Sequence, residues 1–133
     1  MPPRTRNLPK EAGTAWERRV VDYAAGMGLP WDRAPLRGSA DLLDVQGCLP
    51  MGWLVGAKAK SRSSQDRLSE AMNEAAAARK RLRPPVAGVI PVQVVQRPGY
   101  PVGRAFAVME YSDFLRVVIE REQHRVVSWE GEL

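Results

Sequence analysis

The chain has 133 residues, of which 44% are apolar and 26% charged, and these values are typical of one globular domain with a real core. Twenty Lys and Arg against 15 Asp and Glu give a net charge of +5, which favours a polyanionic partner. A single cysteine, Cys48, and a single histidine, His124, exclude a disulfide framework, a CxxC-type zinc site and a multi-histidine metal site. No apolar run approaches the ~20 residues that cross a bilayer, and the basic start lacks the apolar stretch of a secretory signal. We therefore expect a cytoplasmic protein without a membrane partner.

The N-terminal part predicts a flexible basic arm and then a helix. Residues 1–12 contain three prolines, together with basic side chains such as Arg4 and Arg6 that suit solvent or phosphates. The spacing of apolar residues over 15–27 predicts the first helix. Glu17 lies at the third position of a capping-box pattern that would open this helix.

The remaining chain alternates between predicted strands and helices. Two short strands over 31–36 and 41–46 precede a turn around Pro50, and a third strand over 53–60 follows it. After these we predict a helix over 63–82, strands over 86–96 and 103–111, and a helix beginning at Ser112 with Phe114, Leu115, Val118 and Ile119 facing inward. Residues 121–133 are either a tail or an extra edge element. This order, α-β-β-β-α-β-β-α, predicts an α/β domain over 13–120 in which helices flank a central mixed five-stranded sheet.

The predicted hairpin over 41–60 is the part of the sequence that indicates chemistry. With its turn centred near Pro50, Asp44 faces position 56, and Lys58 lies on the same face because side chains alternate with a period of two. A carboxylate there can hold a hard cation such as Mg²⁺, which activates water for phosphodiester hydrolysis, while a lysine offsets charge on the phosphate. The alternatives are an ordinary cross-strand ion pair and, for Glu17, a role confined to the capping box.

These residues resemble the core of the PD-(D/E)XK nucleases and, more narrowly, the Holliday junction resolvases of bacteriophage type. The resemblance rests on residues 37–47 (RGSADLLDVQG), 54–62 (LVGAKAKSR) and 13–18 (GTAWER), and it covers about residues 13–118. It implies a restriction-endonuclease-like fold. It also implies that Asp44 is the motif aspartate, Lys58 the motif lysine and Glu17 the glutamate of the first helix, the three catalytic residues.

A ligand set is implied by the same resemblance. The aspartate and the glutamate just named, with the main-chain carbonyl of Ala57, would bind Mg²⁺, for which Mn²⁺ substitutes. The family has an acidic residue at the position of Gly56, and glycine has no side chain that could ligate metal. Either the nuclease is inactive or weakened, or a carboxylate of the second helix, Glu70 or Glu74, takes the place of the missing one. The alternative function is that of a catalytically dead nuclease fold that only binds branched or duplex nucleic acid.

The implied substrate is branched DNA such as a Holliday junction. Two symmetric cuts need two sites, so the resemblance implies a homodimer, which acts in the host-cell cytoplasm if a phage encodes it. The basic side chains expected on nucleic acid are Arg4, Arg6, Arg33, Arg37, Lys60, Arg62 and Arg67. A small structural protein whose basic face meets an acidic partner is a further interpretation of the same charges.

Overall fold

A computed structural model describes residues 8–35, 43–59 and 65–132, and it confirms an α/β protein with the predicted order of elements. The helices are α1 (Leu8–Gly26), α2 (Gln65–Arg81) and α3 (Tyr111–Glu132), and the strands are β1 (Asp32–Arg33), β2 (Val45–Gln46), β3 (Trp53–Lys58), β4 (Ile90–Val95) and β5 (Phe106–Val108). Short 3₁₀ helices, Leu49–Met51 and Val102–Arg104, precede β3 and β5. Within these described ranges, no helix combines the length and the apolar character needed to cross a membrane.

The strands form two sheets, so the predicted single five-stranded sheet is wrong. The larger sheet has the order β3-β4-β5, with β3 and β4 parallel and β4 and β5 antiparallel. β1 and β2 form a separate antiparallel pair of two residues each. The two sheets are separate because Asp44 occupies the edge of β3 that faces away from β4, with one backbone and one side-chain hydrogen bond. Its N–H donates to the carbonyl of Val55 (3.3 Å), and its Oδ2 accepts from the N–H of Ala57 (2.8 Å). A carboxylate thus takes the N–H that a neighbouring strand would otherwise bind.

Pro91 lies inside β4, the central strand, where a proline normally removes a hydrogen bond of the ladder. β4 pairs with β5 only over residues 93–95, so the missing N–H falls where the described sheet has no strand on that side. The ladder to β3 uses neighbouring nitrogens instead, among them that of Ile90, which donates to the carbonyl of Gly52 (2.9 Å). Pro91 therefore lies in the part of β4 that does not pair with β5.

Two helices cover opposite faces of β3. Val55 and Ala57 pack against α1, whose Trp16 donates from Nε1 to the carbonyl of Val94 (3.1 Å). Leu54 lies on the other face, against α2, together with Ala78. Burial on both faces is typical of a strand in a parallel pair, whereas the sequence predicted that the face of Gly56 and Lys58 would carry the site.

Both ends of the chain are more helical than predicted. α1 begins at Leu8 rather than at residue 15, so 8–12 belong to a helix and not to the arm. Pro9 lies in the first turn, where its missing N–H leaves no helical bond unmade. Residues 1–7, with Arg4 and Arg6, lie outside the described residues. Because the helix starts so early, Glu17 lies well inside it, and the predicted capping box is wrong.

α3 extends to Glu132, which makes the predicted tail or edge element helical over 121–132. The prediction that its apolar residues face inward is wrong, because Phe114, Leu115, Val118 and Ile119 are 39–56% exposed. The first turn instead buries Asp113, which is 4% exposed and forms ion pairs with Arg79 of α2 (3.4 Å) and with Arg116. The apolar spacing correctly predicts a helix here, but the face that it marks remains largely exposed.

Candidate functional site

Asp44 lies at the open edge of β3. The hydrogen bond from the Ala57 N–H to the Asp44 carboxylate places Asp44 beside the edge of β3. The hairpin geometry had predicted it on the sheet face that carries Gly56 and Lys58. A strand residue directs its N–H and its C=O to the same side, so the carbonyl of Ala57 faces this edge as well. The predicted main-chain ligand and the motif aspartate are therefore neighbours.

Glu17 of α1 lies close enough to Asp44 for the two carboxylates to interact electrostatically. Arg33 of β1 donates to Glu17 Oε2 from both Nε and Nη2, at 3.4 Å each. Burial, and after it the negative charge of Asp44, raise the pKa of Glu17, and the guanidinium of Arg33 opposes that shift. A carboxyl group with a raised pKa beside a second carboxylate is a feature of many functional sites. The fold thus brings two of the predicted metal ligands together from elements that are distant in sequence.

Lys58, the last residue of β3, turns toward α2. Its Nζ donates to Glu74 Oε2 at 2.7 Å, and the side chains are 37% and 54% exposed, respectively. The alternative interpretation, a cross-strand ion pair between Lys58 and Asp44, is therefore wrong, because Lys58 pairs with Glu74 of α2 instead. Glu70 and Arg67 line the same cleft of about 440 Å³ beside this pair. The carboxylates of the second helix consequently accompany the lysine rather than the aspartate.

The space above Gly56 is filled by Gln93, its partner across the β3–β4 ladder. A Cβ atom on Gly56 would lie 2.1 Å from Gln93 Oε1 and 2.8 Å from its Cδ. Gln93 is 1% exposed, and its Nε2 donates to the carbonyl of Ala71 (2.9 Å), while its Oε1 is buried and has no hydrogen-bond partner among the described residues. An amide oxygen, and not a carboxylate, occupies the place of the expected acid.

Gln93 was not predicted as a site residue. The signal that could have identified it is a glutamine in the otherwise apolar run 92–95, in a strand that the sequence predicts to be buried on both faces. Buried polar side chains are costly unless they are hydrogen-bonded, so a glutamine at such a position indicates a local requirement.

The predicted nucleic-acid contacts are described only in part. Arg4, Arg6, Arg37, Lys60 and Arg62 lie outside the described residues. Of the other two, Arg33 is bonded to Glu17, and Arg67 is exposed beside the Lys58 cleft.

The oxygen atoms at the β3 edge suit a hard cation. In the part of the chain that the structure describes, no three His, Cys, Asp or Glu side chains gather as metal ligands would. Mg²⁺ nevertheless needs only one or two carboxylates, because water and substrate phosphate complete its octahedral shell. The carboxylates of Glu17 and Asp44 with the carbonyl of Ala57 fit that requirement. An all-oxygen set does not fit a metal that prefers nitrogen or sulfur ligands.

Comparisons of the chain with protein-family models, with curated proteins and with solved structures found no significant match. The resemblance to nucleases therefore stays a prediction.

Proposed function

We propose that the protein is a Mg²⁺-dependent endonuclease of PD-(D/E)XK type that acts on branched DNA. The observation that carries this proposal is the pair of carboxylates, Glu17 and Asp44, at the edge of β3. Two neighbouring carboxylates repel each other, and this repulsion contributes to the raised pKa of Glu17. A divalent cation would offset the repulsion. Cation binding therefore explains the pair of carboxylates better than a contribution of the pair to the stability of the fold would.

The roles of the residues follow from their positions. Glu17, Asp44 and the Ala57 carbonyl would hold the cation, which when bound would polarise a phosphate and lower the pKa of a water molecule. The Ala57 N–H fixes the orientation of Asp44. Lys58 would offset charge on the phosphate, once the substrate replaces Glu74 as its partner. That exchange costs little, because ion pairs exposed to this degree contribute only about 0–1 kcal/mol.

The partner is proposed from charge and symmetry. A net charge of +5 suits the phosphate backbone. Two cuts in one junction require two sites, and the exposed apolar side chains of α3, among them Val118 and Ile119, offer a surface for a second copy of the chain. A homodimer is therefore part of the proposal.

A nuclease-like protein that only binds branched or duplex nucleic acid is the second candidate. Gln93 favours it, because a neutral amide fills the space where the resemblance expects the acid of position 56. The two candidates agree on the partner and differ in whether a phosphodiester bond is cut.

Cleavage and binding assays on a four-way DNA junction and on a linear duplex separate the candidates. The nuclease should cut the junction only when Mg²⁺ or Mn²⁺ is present, and Asp44→Asn should abolish the cut while binding in a gel-shift assay remains. Asp22→Asn, on the exposed face of α1, is the matched control and should cut normally. Binding without cleavage under either metal would favour the second candidate, and the absence of both would refute the two together.

A further inference from the structure

The turn after β4 carries a stack of arginine and aromatic side chains. The guanidinium carbon of Arg97 lies 3.7 Å from the ring centroid of Tyr100 and 4.6 Å from that of Phe106, and that of Arg104 lies 5.1 Å from the Tyr100 ring. Arg97 also donates from Nη1 to the carbonyl of Arg104 (3.2 Å). These four side chains form one surface, the arginine–aromatic platform.

The platform is open to solvent and carries uncompensated positive charge. Tyr100 is 43% and Phe106 52% exposed. Among the described residues, neither Arg97 nor Arg104 forms an ion pair with a carboxylate, and residues 75–109 contain no Asp or Glu. The cationic groups suit a phosphate, and the rings suit a flat, uncharged group beside it.

Core packing holds the platform from below. Val102 and Ala105 pack with Trp16 in the apolar cluster between α1 and β3. Gly103 approaches Tyr23 so closely that a Cβ there would lie 2.4 Å from the Tyr23 hydroxyl oxygen. The rings are therefore presented on a backbone that is fixed before any ligand arrives, and such preorganisation lowers the entropic cost of binding.

The platform adjoins the proposed site. β3 and β4 are parallel, so their carboxyl termini lie at the same end of the sheet. α/β proteins commonly bind ligands at that end of the strands. Gln96, directly before the platform, donates its N–H to the carbonyl of Lys58 (2.9 Å). A nucleic acid held beside Lys58 would thus have the platform next to it.

We propose that the arginine–aromatic platform binds an unpaired nucleobase, which stacks on the rings of Tyr100 and Phe106 while Arg97 and Arg104 contact the adjacent phosphates. This inference rests on the proposed function and specifies which form of nucleic acid is bound. A base inside a duplex has neighbours on both faces, whereas an unstacked base at a branch point has a free face. Stacking of this kind tolerates any base sequence.

The test measures binding of fluorescent oligothymidylate, of oligouridylate and of a blunt DNA duplex of the same length. Tyr100→Leu/Phe106→Leu removes both rings but keeps apolar side chains, and Tyr111→Leu removes an exposed ring outside the platform as the matched control. Because stacking contributes about 1–3 kcal/mol per base, the double variant should bind single strands about 5- to 150-fold more weakly, with little change in duplex binding. The two oligonucleotides distinguish DNA from RNA as the source of the base.

Arg97→Lys separates stacking from charge. Lysine keeps the charge but lacks the planar guanidinium that packs on the rings of Tyr100 and Phe106. The rings then lose a support, so single-strand affinity should fall while the slope of log affinity against log salt stays unchanged. Circular dichroism verifies that each variant is folded. The platform would be overturned if the double variant bound single strands as tightly as the wild type, or if the Tyr111→Leu control lost as much affinity. If duplex binding persists in that case, the proposed function stays intact. A wild-type protein that binds neither single strands nor duplex would overturn both.

Discussion

Gly56→Ala should destabilise the protein, although alanine is usually favoured over glycine in a strand. The added Cβ atom would lie 2.1 Å from Gln93 Oε1 and 3.0 Å from its Nε2. Gln93 is held in this position, because it is 1% exposed and its amide nitrogen is bonded to the carbonyl of Ala71. The methyl group can be accommodated only if that bond breaks or β3 shifts against β4.

The magnitude follows from those two consequences. Overpacking of a buried site costs about 1–3 kcal/mol, and an Ala71 carbonyl left buried without its donor costs about 1–3 kcal/mol. Lower backbone entropy in the unfolded alanine variant returns only about 0.5–1 kcal/mol. Because either consequence alone accommodates the methyl group, we expect Gly56→Ala to lower the free energy of unfolding by about 1–2 kcal/mol.

A double-mutant cycle with Gln93→Ala isolates the contact. In the Gln93→Ala background the new methyl group meets no amide, so the same Gly56→Ala change should be neutral or stabilising. Urea unfolding followed by circular dichroism gives the four free energies, and their coupling should reach at least about 1 kcal/mol. Gly13→Ala, at a glycine with nothing within 4 Å of its Cβ position, should show no coupling to Gln93→Ala. Additivity of the Gly56 and Gln93 changes within about 0.5 kcal/mol would refute the contact.

Gly56→Glu should gain Mg²⁺-dependent cleavage and thermal stabilisation only in combination with Gln93→Ala, and an equal gain in the single variant would contradict the blocked position. Asp44→Ala should lose about 1–3 kcal/mol of stability in urea unfolding because it leaves a buried N–H without an acceptor, whereas Asp44→Asn, which keeps an oxygen there, should unfold nearly as the wild type does; equal losses would argue against this hydrogen bond. Because the pKa of Glu17 is raised in the folded protein, ionisation of Glu17 opposes folding. The stability of the wild type relative to Glu17→Gln should therefore fall as pH rises from the ordinary glutamate pKa through the raised one. A difference in melting temperature between the two proteins that stays constant across that pH range would exclude the effect. Val118→Asp should reduce the sedimenting mass from a dimer to one chain of 14.8 kDa, and a wild type that already sediments as a monomer would refute the homodimer.

Much of the fold could be predicted because it depends on local pattern. The apolar spacing of α1 and the β-branched run of β4 are properties of neighbouring residues, and the structure contains both elements, although α1 begins earlier and β4 is shorter than predicted. The division of the sheet could not be predicted in this way. It depends on a side chain, that of Asp44, taking the N–H that a strand would use, and the sequence does not distinguish a side-chain acceptor from a backbone one.

The candidate site shows the same limit. Asp44 and Glu17 were identified as a pair through the family resemblance, and the structure places them together. Their partners were not predicted, because Arg33 reaches Glu17 only through the path of the chain after α1, and Gln93 meets Gly56 only through the register of two parallel strands. Contacts of this kind arise from packing between distant segments, which periodicity along one segment does not encode.

Two ion pairs hold charged side chains of the site, and they determine what binding must displace. Glu17 is held by Arg33, and Lys58 by Glu74. In the proposed enzyme, Glu17 would no longer need Arg33 as its counter-charge once a cation was bound, and the guanidinium of Arg33 could then contact a DNA phosphate, which is the role that the sequence predicted for it. A phosphate likewise competes with Glu74 for Lys58. Cation and DNA binding would then reinforce each other. The cation would release Arg33 for the DNA, and the DNA phosphate would add a negative charge beside the cation.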